Sequence, residues 1–323
     1  MILVYVPGLQ GGVRNVTISL ARAMQARGHE VVLVNSLFHL LSRSLRYLFH
    51  RGHRPKAILS LDSGVLSLFF ARSVYILHGF PVKPLYGFLR STSLKACALL
   101  AALGGSRLSA VSYLTRNVFQ RIYGITVDLV IPNGVSPDFH SIPVAPLDKQ
   151  KSVLYLGRLS YNKGVLELIS AFLSSSLSSS GYKLLIAGSG PLQWEIQQAA
   201  NVYDSVTYLG EVPEDAKIQL YIDSDIFVSL NDFEPFGVTA IEAAFTRCKT
   251  ILAYGTGIAD HFPVSGTLLK CDPLSCNSII CALEAASEMP TPPPLNDIEA
   301  CQYDYKQIAS AYLAALDELS SID

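Results

Sequence analysis

The chain has no apolar run long enough to cross a bilayer as a helix. Its longest, Ala96 to Leu103, falls far short of the roughly 20 residues such a helix needs. The apolar start, M-I-L-V-Y-V, is only strand-length and ends at Pro7, so it does not read as a secretory signal. Paired C-x-x-C spacing is also missing. The cysteines at 97, 248, 271, 276, 281 and 301 include a five-residue recurrence, Cys271, Cys276 and Cys281, that matches no zinc pattern. They read as free or buried thiols of a protein in a reducing cytoplasm. No G-x-G-x-x-G occurs, which removes the main support for a nicotinamide-cofactor enzyme. Charge is sparse, at 16% of residues. What remains is ample apolar material: 50% of 323 residues are hydrophobic, enough for two domains with sizeable cores.

The net charge of −1 hides an asymmetry. Residues 1–146 hold 15 Lys/Arg against 4 Asp/Glu, and residues 147–323 hold 10 against 22. A basic half suggests an anionic surface as partner. Two α/β patterns follow one another. In the first, short strands are expected at Ile2–Val6, Glu30–Val34, Ala57–Leu61, Ser73–Leu77, Leu108–Val111 and Asp128–Ile131. A glycine loop and an amphipathic helix, Val16–Arg27, separate the first two. Ser141–Gln150, with two prolines, reads as a linker. The second pattern has strands at Ser152–Gly157, Lys183–Ala187, Val206–Leu209, Asp225–Leu230 and Thr250–Ala253, with helices between them. A last amphipathic helix is expected near Tyr305–Leu319. Alternation of this kind implies α/β domains with parallel, doubly wound sheets. The expected organisation is a Rossmann-like domain over 1–146, a second over 147–302, and a helix over 303–323 that returns to the first. Ligands are expected in a cleft outside the carboxyl ends of the strands.

The segment from Glu234 to Glu242, E-P-F-G-V-T-A-I-E, follows a buried-strand run, D-I-F-V-S-L, and leads into an Ala-rich helix. Strand, tight loop and helix in that order point free amides, and the positive end of the helix dipole, at whatever sits above the strand end. Glu234 projects from the loop and Glu242 from about the second helical turn. Carboxylates accept hydrogen bonds from hydroxyls and amides suit a phosphate, so a nucleoside-diphosphate sugar fits the pair. Arg158, in Gly157-Arg158-Leu159, and Lys163, before Gly164, lie at another strand end. Together they suit a diphosphate, Arg as a fork and Lys as a point charge, although two surface cations would look the same.

The Glu-x7-Glu segment closely resembles the signature of family 4 retaining glycosyltransferases, which have the two-Rossmann GT-B fold, and the resemblance spans nearly the whole chain. It implies that Arg158 and Lys163 hold the donor diphosphate with help from the amides of Phe236, Gly237 and Val238. It also implies that Glu234 holds donor-sugar hydroxyls and Glu242 the ribose. Gly188, in Gly188-Ser189-Gly190-Pro191, matches the family's G-x-G-P turn, and Gly11 and Gly12 its G-G loop, although either could be a plain turn. His78, in I-L-H-G-F-P, stands where the family places a histidine near the donor sugar, while a lone histidine is commonly structural. Ile131-Pro132-Asn133-Gly134-Val135 matches a turn near the domain boundary. No cofactor is implied, and no metal: Asp223-Ser224-Asp225 looks like a D-x-D motif, but a helix end and a strand start need not aim both side chains at one ion.

Two departures from the family stand out. Where many relatives read E-A-M-A-x-G-x-P-V-I-A, this chain has E-A-A-F-T-R-C-K-T-I-L-A, placing Arg247, Cys248 and Lys249 around the usual glycine and proline. Where many then carry G-G-x-x-E, it has Gly255 to Asp260. Both departures are expected in the loops over the nucleotide and sugar. Arg43, Arg46, Arg51, Arg54 and Lys56 are interleaved with leucines, and Arg90, Lys95 and Arg107 flank the apolar run. Such stretches read either as solvated helix faces or as peripheral contacts with an anionic membrane. No nucleic-acid-binding motif accompanies the charge. The expected activity is retaining transfer from a nucleotide sugar to a glycan or lipid-linked acceptor. A non-catalytic sugar-nucleotide-binding subunit and a related-fold sugar-nucleotide epimerase are the alternatives.

Overall fold

The computed structural model describes residues 1–6, 12–51, 55–60, 63, 70, 72–79, 83–142, 149–231, 233–259, 262 and 267–318, without the side chains of 47–51, 72 and 83–91. The chain divides into two compact units. Unit 1 comprises Met1–Ser136 with Cys301–Asp323, and unit 2 comprises Pro137–Ala300. In chain order, unit 1 runs β1 (Ile2–Tyr5), α1 (Gly12–Ala26), β2 (Val31–Val34), α2 (Leu37–Arg51), β3 (Lys56–Ser60) and β4 (Arg72–Leu77). It continues α3 (Lys83–Leu103), β5 (Arg107–Ala110), α4 (Tyr113–Asn117) and β6 (Leu129–Val130). Unit 2 runs α5 (Pro137–His140), β7 (Gln150–Leu156), α6 (Val165–Ser174), β8 (Lys183–Ala187), α7 (Gln193–Val202), β9 (Val206–Gly210) and α8 (Glu214–Asp223). It continues β10 (Ser224–Ser229), α9 (Val238–Phe245), β11 (Lys249–Ala253), β12 (Leu268–Cys271), α10 (Cys276–Glu288) and α11 (Asp297–Cys301), and α12 (Tyr305–Glu318) closes the chain.

Each unit is built on one parallel sheet of six strands, ordered β2-β1-β3-β4-β5-β6 in unit 1 and β12-β11-β10-β7-β8-β9 in unit 2. The expected α/β class with doubly wound parallel sheets is what the chain forms. Parallel sheets need both faces covered, and their strands accordingly read as near-continuous apolar runs. In unit 1, Leu3, Tyr5, Leu59, Tyr75, Leu77 and Leu108 pack with Leu40 of α2 and with Cys97, Ala98 and Ala101 of α3. Helices α1 and α12 pack on each other, and α12 packs on β4 as well. Ion pairs Lys56–Asp317 and Arg107–Glu318 fasten the end of α12.

The crossing between units falls at Ser136–Pro137, upstream of the expected linker, most of which (143–148) lies outside the described residues. The reason is apolar: Phe139 is buried, and its ring meets those of Tyr221 and Phe245 edge-on at 6.0 and 6.3 Å, so α5 belongs to the second core. The return also comes early, at Cys301, where the Tyr303 carbonyl accepts the Val135 amide at 3.0 Å. Strand β12 and helix α10 have no counterpart in the sequence reading. β12 is an edge strand of four residues, too short to show a period, and three of its four residues are only half-buried or exposed.

Candidate functional site

In unit 2 the carboxyl ends of β7, β8, β10 and β11 gather the expected residues, and glycines make the approach possible. Gly164, with φ of +68°, is so close to Leu230 that an added Cβ would lie 2.5 Å from the leucine Cβ. That contact seats the start of α6 against the end of β10. At Gly188 (φ +135°) a Cβ would lie 1.9 Å from the carbonyl oxygen of Gly157, so the β7 and β8 ends touch only because no side chain is there.

Lys163 and Glu234 meet as an ion pair, Nζ to Oε2 at 3.0 Å, with side chains about one third and one quarter exposed. Asn231, at the end of β10, donates its side-chain amide to the same Oε2 at 2.7 Å. Glu234 Oε1 has no partner among the described residues. The backbone of Glu234 is pinned as well. It bridges to Thr256, and its carbonyl accepts the Gly257 amide at 2.8 Å, while the Phe236 carbonyl accepts that of Ile258 at 2.9 Å. Arg158 is exposed, and its guanidinium has no acidic partner among the described residues. Only its carbonyl is held, by the Tyr155 hydroxyl at 2.9 Å. Burial, and then the Glu234 charge, push the Tyr155 phenol up, so it stays a neutral donor. Phe236 is buried, and Gly237 caps α9 at φ +105°. The first amides of α9, from Val238, therefore have no helical acceptor.

Glu242 is placed differently from Glu234. It lies on the second turn of α9, is 7% exposed, and accepts the Tyr221 hydroxyl on Oε2 at 2.9 Å. Burial holds its carboxyl up at about 6, against the lowering effect of that hydrogen bond. Asn231, Tyr221 and Thr256 were not anticipated. Asn231 had a signal, a polar residue at the end of an apolar strand, whereas nothing in the local sequence ties Tyr221 to a carboxylate 21 positions on.

The remaining candidates are in unit 1 or elsewhere in unit 2. Gly11 lies outside the described residues, and Gly12 opens α1 with nothing among the described residues within 4 Å of an added Cβ. His78 follows β4 and is 9% exposed, and its Nε2 is buried with no partner among the described residues. Desolvation holds its imidazole down at about 4, so it is neutral at pH 7. Beside it is a cavity of about 50 Å³ lined by Val13, Tyr75, Leu94 and Phe119, among others. Asp225 is not free for a metal. Its carboxylate takes Lys249 Nζ at 3.0 Å and the Tyr182 hydroxyl at 2.8 Å, while Asp223 accepts from Gln219.

One departure from the family is not where it was expected. Arg247 and Cys248 precede β11 and Lys249 opens it, at the amino end of the sheet and opposite Glu234, because each parallel strand is entered from that side. Arg247 keeps the left-handed backbone (φ +65°) that glycine adopts freely, at a strain of about 1–2 kcal/mol. It is buried, with Nε donating to the Pro292 carbonyl at 2.7 Å. Only the second departure, Gly255 onward, touches the candidate site, through the Glu234–Thr256 pairing; Asp260 itself lies outside the described residues.

The architecture is that of GT-B glycosyltransferases. An Anabaena protein solved with UDP-glucose superposes with a TM-score of 0.65 over 99% of this chain and 98% of its own, at 18% identity. Residues 139–262 match the family model described as "Glycosyl transferases group 1". An uncharacterized glycosyltransferase of Methanocaldococcus jannaschii is 37% identical over 116 residues, 35% of this chain and 30% of the relative. A glycogen synthase of Mycobacterium tuberculosis is 28% identical over 207 residues, 59% and 50% of the two chains. A Xanthomonas campestris GDP-mannose:cellobiosyl-diphosphopolyprenol α-mannosyltransferase is 23% identical over 288 residues, 75% of each. The chain thus spans half or less of the first two of these curated relatives. Among the described residues, no helix is long and apolar enough to cross a membrane, and no group of three or more His, Cys, Asp or Glu side chains could hold a metal.

Proposed function

We propose that the chain is a glycosyltransferase that moves a sugar from a nucleoside-diphosphate donor to an acceptor with retention at the anomeric carbon. The observation that carries this reading is the Lys163–Glu234–Asn231 cluster at the end of β10, beside the amino end of α9 and Arg158, which has no acidic partner among the described residues. In this reading Arg158 and Lys163 stabilise the charge that develops on the leaving diphosphate, helped by the amides of Phe236, Gly237 and Val238. Preorganised charge of that kind is usually a large catalytic term. Glu234 Oε1 accepts donor-sugar hydroxyls and Glu242 Oε1 the ribose. With two cations and a helix terminus on the diphosphate, the reading needs no metal, and transfer should persist in EDTA. The structural neighbour solved with UDP-glucose supports a nucleotide-sugar donor.

The acceptor is proposed to be lipid-linked or otherwise close to a membrane, reached by peripheral contact on the cytoplasmic side. Support comes from the exposed Phe38 and Leu45 of α2, set among Arg43 and Arg46, and from the polyprenol-linked acceptor in the name of the Xanthomonas relative. Not every cation named from the sequence serves such a face. Lys56 and Arg107 are paired with α12, Lys95 lies over the Tyr123 ring at 5.0 Å, Arg54 is outside the described residues, and the side chains of Arg51 and Arg90 are not described.

The test is a thermal-shift screen of UDP-, GDP- and ADP-sugars, followed by transfer to lipid extracts with the best donor. Donor binding without transfer or hydrolysis in any extract would leave a binding subunit. Donor turnover without acceptor, giving an isomeric nucleotide sugar, would make the protein an epimerase.

A further inference from the structure

We propose that Tyr221 is a positioning residue that keeps the Glu242 carboxylate ionised and aimed for the donor ribose. The inference rests on the donor site proposed above and adds a residue that touches no ligand. Four observations carry it. Glu242 is almost wholly removed from solvent, yet its Oε2 is met at 2.9 Å by the Tyr221 hydroxyl. Tyr221 itself is 0% exposed and is held by rings on two sides, Phe139 edge-on at 6.0 Å and Phe227 at 5.6 Å, so its hydroxyl cannot swing away. Both sides of the bond are fixed to the same scaffold, since α8 carries Tyr221 into β10 and α9 leaves the loop that ends β10. Finally, Glu242 Oε1 has no partner among the described residues, so the bond to Oε2 leaves one oxygen for a hydroxyl pair.

The charged and titratable groups around the pair come from several elements. Lys217 and Glu214, on α8, bear on Glu242 with opposite sign, and the same two form an ion pair at 2.6 Å. Cys248, whose thiol burial pushes up, faces Tyr221, donating to its carbonyl at 3.0 Å. Lys149 Nζ lies 3.7 Å from that thiol and caps the Tyr221, Ile222 and Ser224 carbonyls. Burial alone favours a protonated Glu242, which would accept hydroxyl hydrogen bonds poorly. The phenol opposes this, because a hydrogen bond to the charged form lowers a carboxyl's pKa.

Affinity of the full chain for UDP-glucose, GDP-mannose and ADP-glucose, measured by calorimetry from pH 5 to 8, tests the proposal. None of the three donors titrates a phosphate in that range. The wild-type chain should lose affinity as pH falls through about 6. Tyr221→Phe should move that acid limb upward by about one pH unit, the size expected for a charge-assisted hydrogen bond. Glu242→Gln should bind about tenfold or more weakly and lose the limb altogether. Should Tyr221→Phe fold poorly, 3-fluorotyrosine placed at 221 alone keeps the packing; its more acidic phenol should move the limb down. An unmoved limb in the phenylalanine and fluorotyrosine variants overturns the positioning role, even if stability falls. Unchanged affinity in Glu242→Gln, or no binding of any of the three donors by the wild type, overturns the donor site itself and this inference with it.

Discussion

Each unit has its own parallel six-stranded sheet, and the described residues at the carboxyl ends of the two sheets differ. At the carboxyl ends of its strands, unit 2 fills the space. Gly164, Gly188 and Gly190 each sit where an added Cβ would come within 2.5 Å of a neighbour, and Lys163 and Glu234 there form an ion pair. In unit 1 much of the chain at those ends, 7–11, 61–62, 64–69 and 80–82, lies outside the described residues. Among the described residues nothing lies within 4 Å of a Cβ added at Gly12, and His78, at the end of β4, is neutral with its Nε2 unpartnered. A phosphate needs amides and cations held in place beforehand, since dipoles that must reorganise stabilise little. Unit 2 has that preorganisation. Unit 1 has instead a basic, partly apolar outer surface, which suits a partner that is large and poorly defined in shape.

The comparison breaks first at the glycines. Gly188→Ala forces a side chain at φ +135° and 1.9 Å from a carbonyl, so strain and overpacking add. A loss of about 3 kcal/mol or more is expected by urea denaturation. Gly12→Ala, with no atom of the described residues within 4 Å of the added Cβ, should stay within about 0.5 kcal/mol of wild type. Equal losses at the two sites would mean that the close β7–β8 approach is not a feature of the folded protein.

The next effect is on activity. Lys163→Ala leaves Glu234 partly paired through Asn231, so the fold should survive, while transfer should fall by about 10²–10³-fold in kcat. Arg158→Ala, at an exposed position without an acidic partner among the described residues, should cost a similar factor with a change in stability below about 0.5 kcal/mol. Initial rates and melting temperatures measured on the same preparations separate the two effects. A loss of rate that only follows loss of fold would remove both cations from the site.

These residues also show what a sequence can and cannot carry. The strand-end positions of Arg158, Lys163 and Glu234 were legible because they follow from short apolar runs. The departure at Arg247–Lys249 was misplaced because it follows α9 in sequence. Only the parallel pairing of β11 shows that such a segment enters the sheet from the far end. Tyr221 was invisible for a related reason: it and Glu242 meet through helices on either side of one strand, with no local spacing to announce it. Phe139 likewise moved the domain boundary through ring contacts with residues about 80 and 100 positions away, which only packing reveals.

Acid should separate the units in opposite directions. His78 titrates lower in the fold, at about 4, than the unfolded value of 6.5, so unit 1 gains stability as pH rises from about 4 to 6.5 and loses it on acidification. The full span is about 3 kcal/mol. Glu242 titrates higher, at about 6 against 4.5, so unit 2 is more stable while that group is protonated and loses up to about 2 kcal/mol as pH climbs through that window. Hydrogen exchange at pH 4.5 and 7.5 should show protection falling in 1–136 and rising in 137–300 on acidification. Glu242→Gln should stabilise unit 2 by up to about 2 kcal/mol at pH 7.5 and by nothing at pH 4, where both side chains are neutral. Exchange that changes alike in both units would mean that neither buried group dominates its own unit.

The smallest expected effect concerns the surface of unit 1. On α2, Leu40 is wholly buried, while Phe38 is 77% and Leu45 38% exposed, with exposed Arg43 and Arg46 beside them. A helix lying on an anionic bilayer presents this combination, the rings and leucines entering the interface and the cations pairing with head groups. Each arginine near such a surface contributes about 1 kcal/mol. Arg46→Ala should therefore weaken flotation with vesicles of one third phosphatidylserine by about fivefold, and only at low ionic strength. Phe38→Ser should weaken it at any salt, because its share is apolar. Neither change should alter nucleotide-sugar affinity in the absence of vesicles, since neither residue is among those proposed to hold the donor. A wild-type chain that fails to float at low salt would make α2 a solvated face and leave the excess of cations in unit 1 without a membrane role.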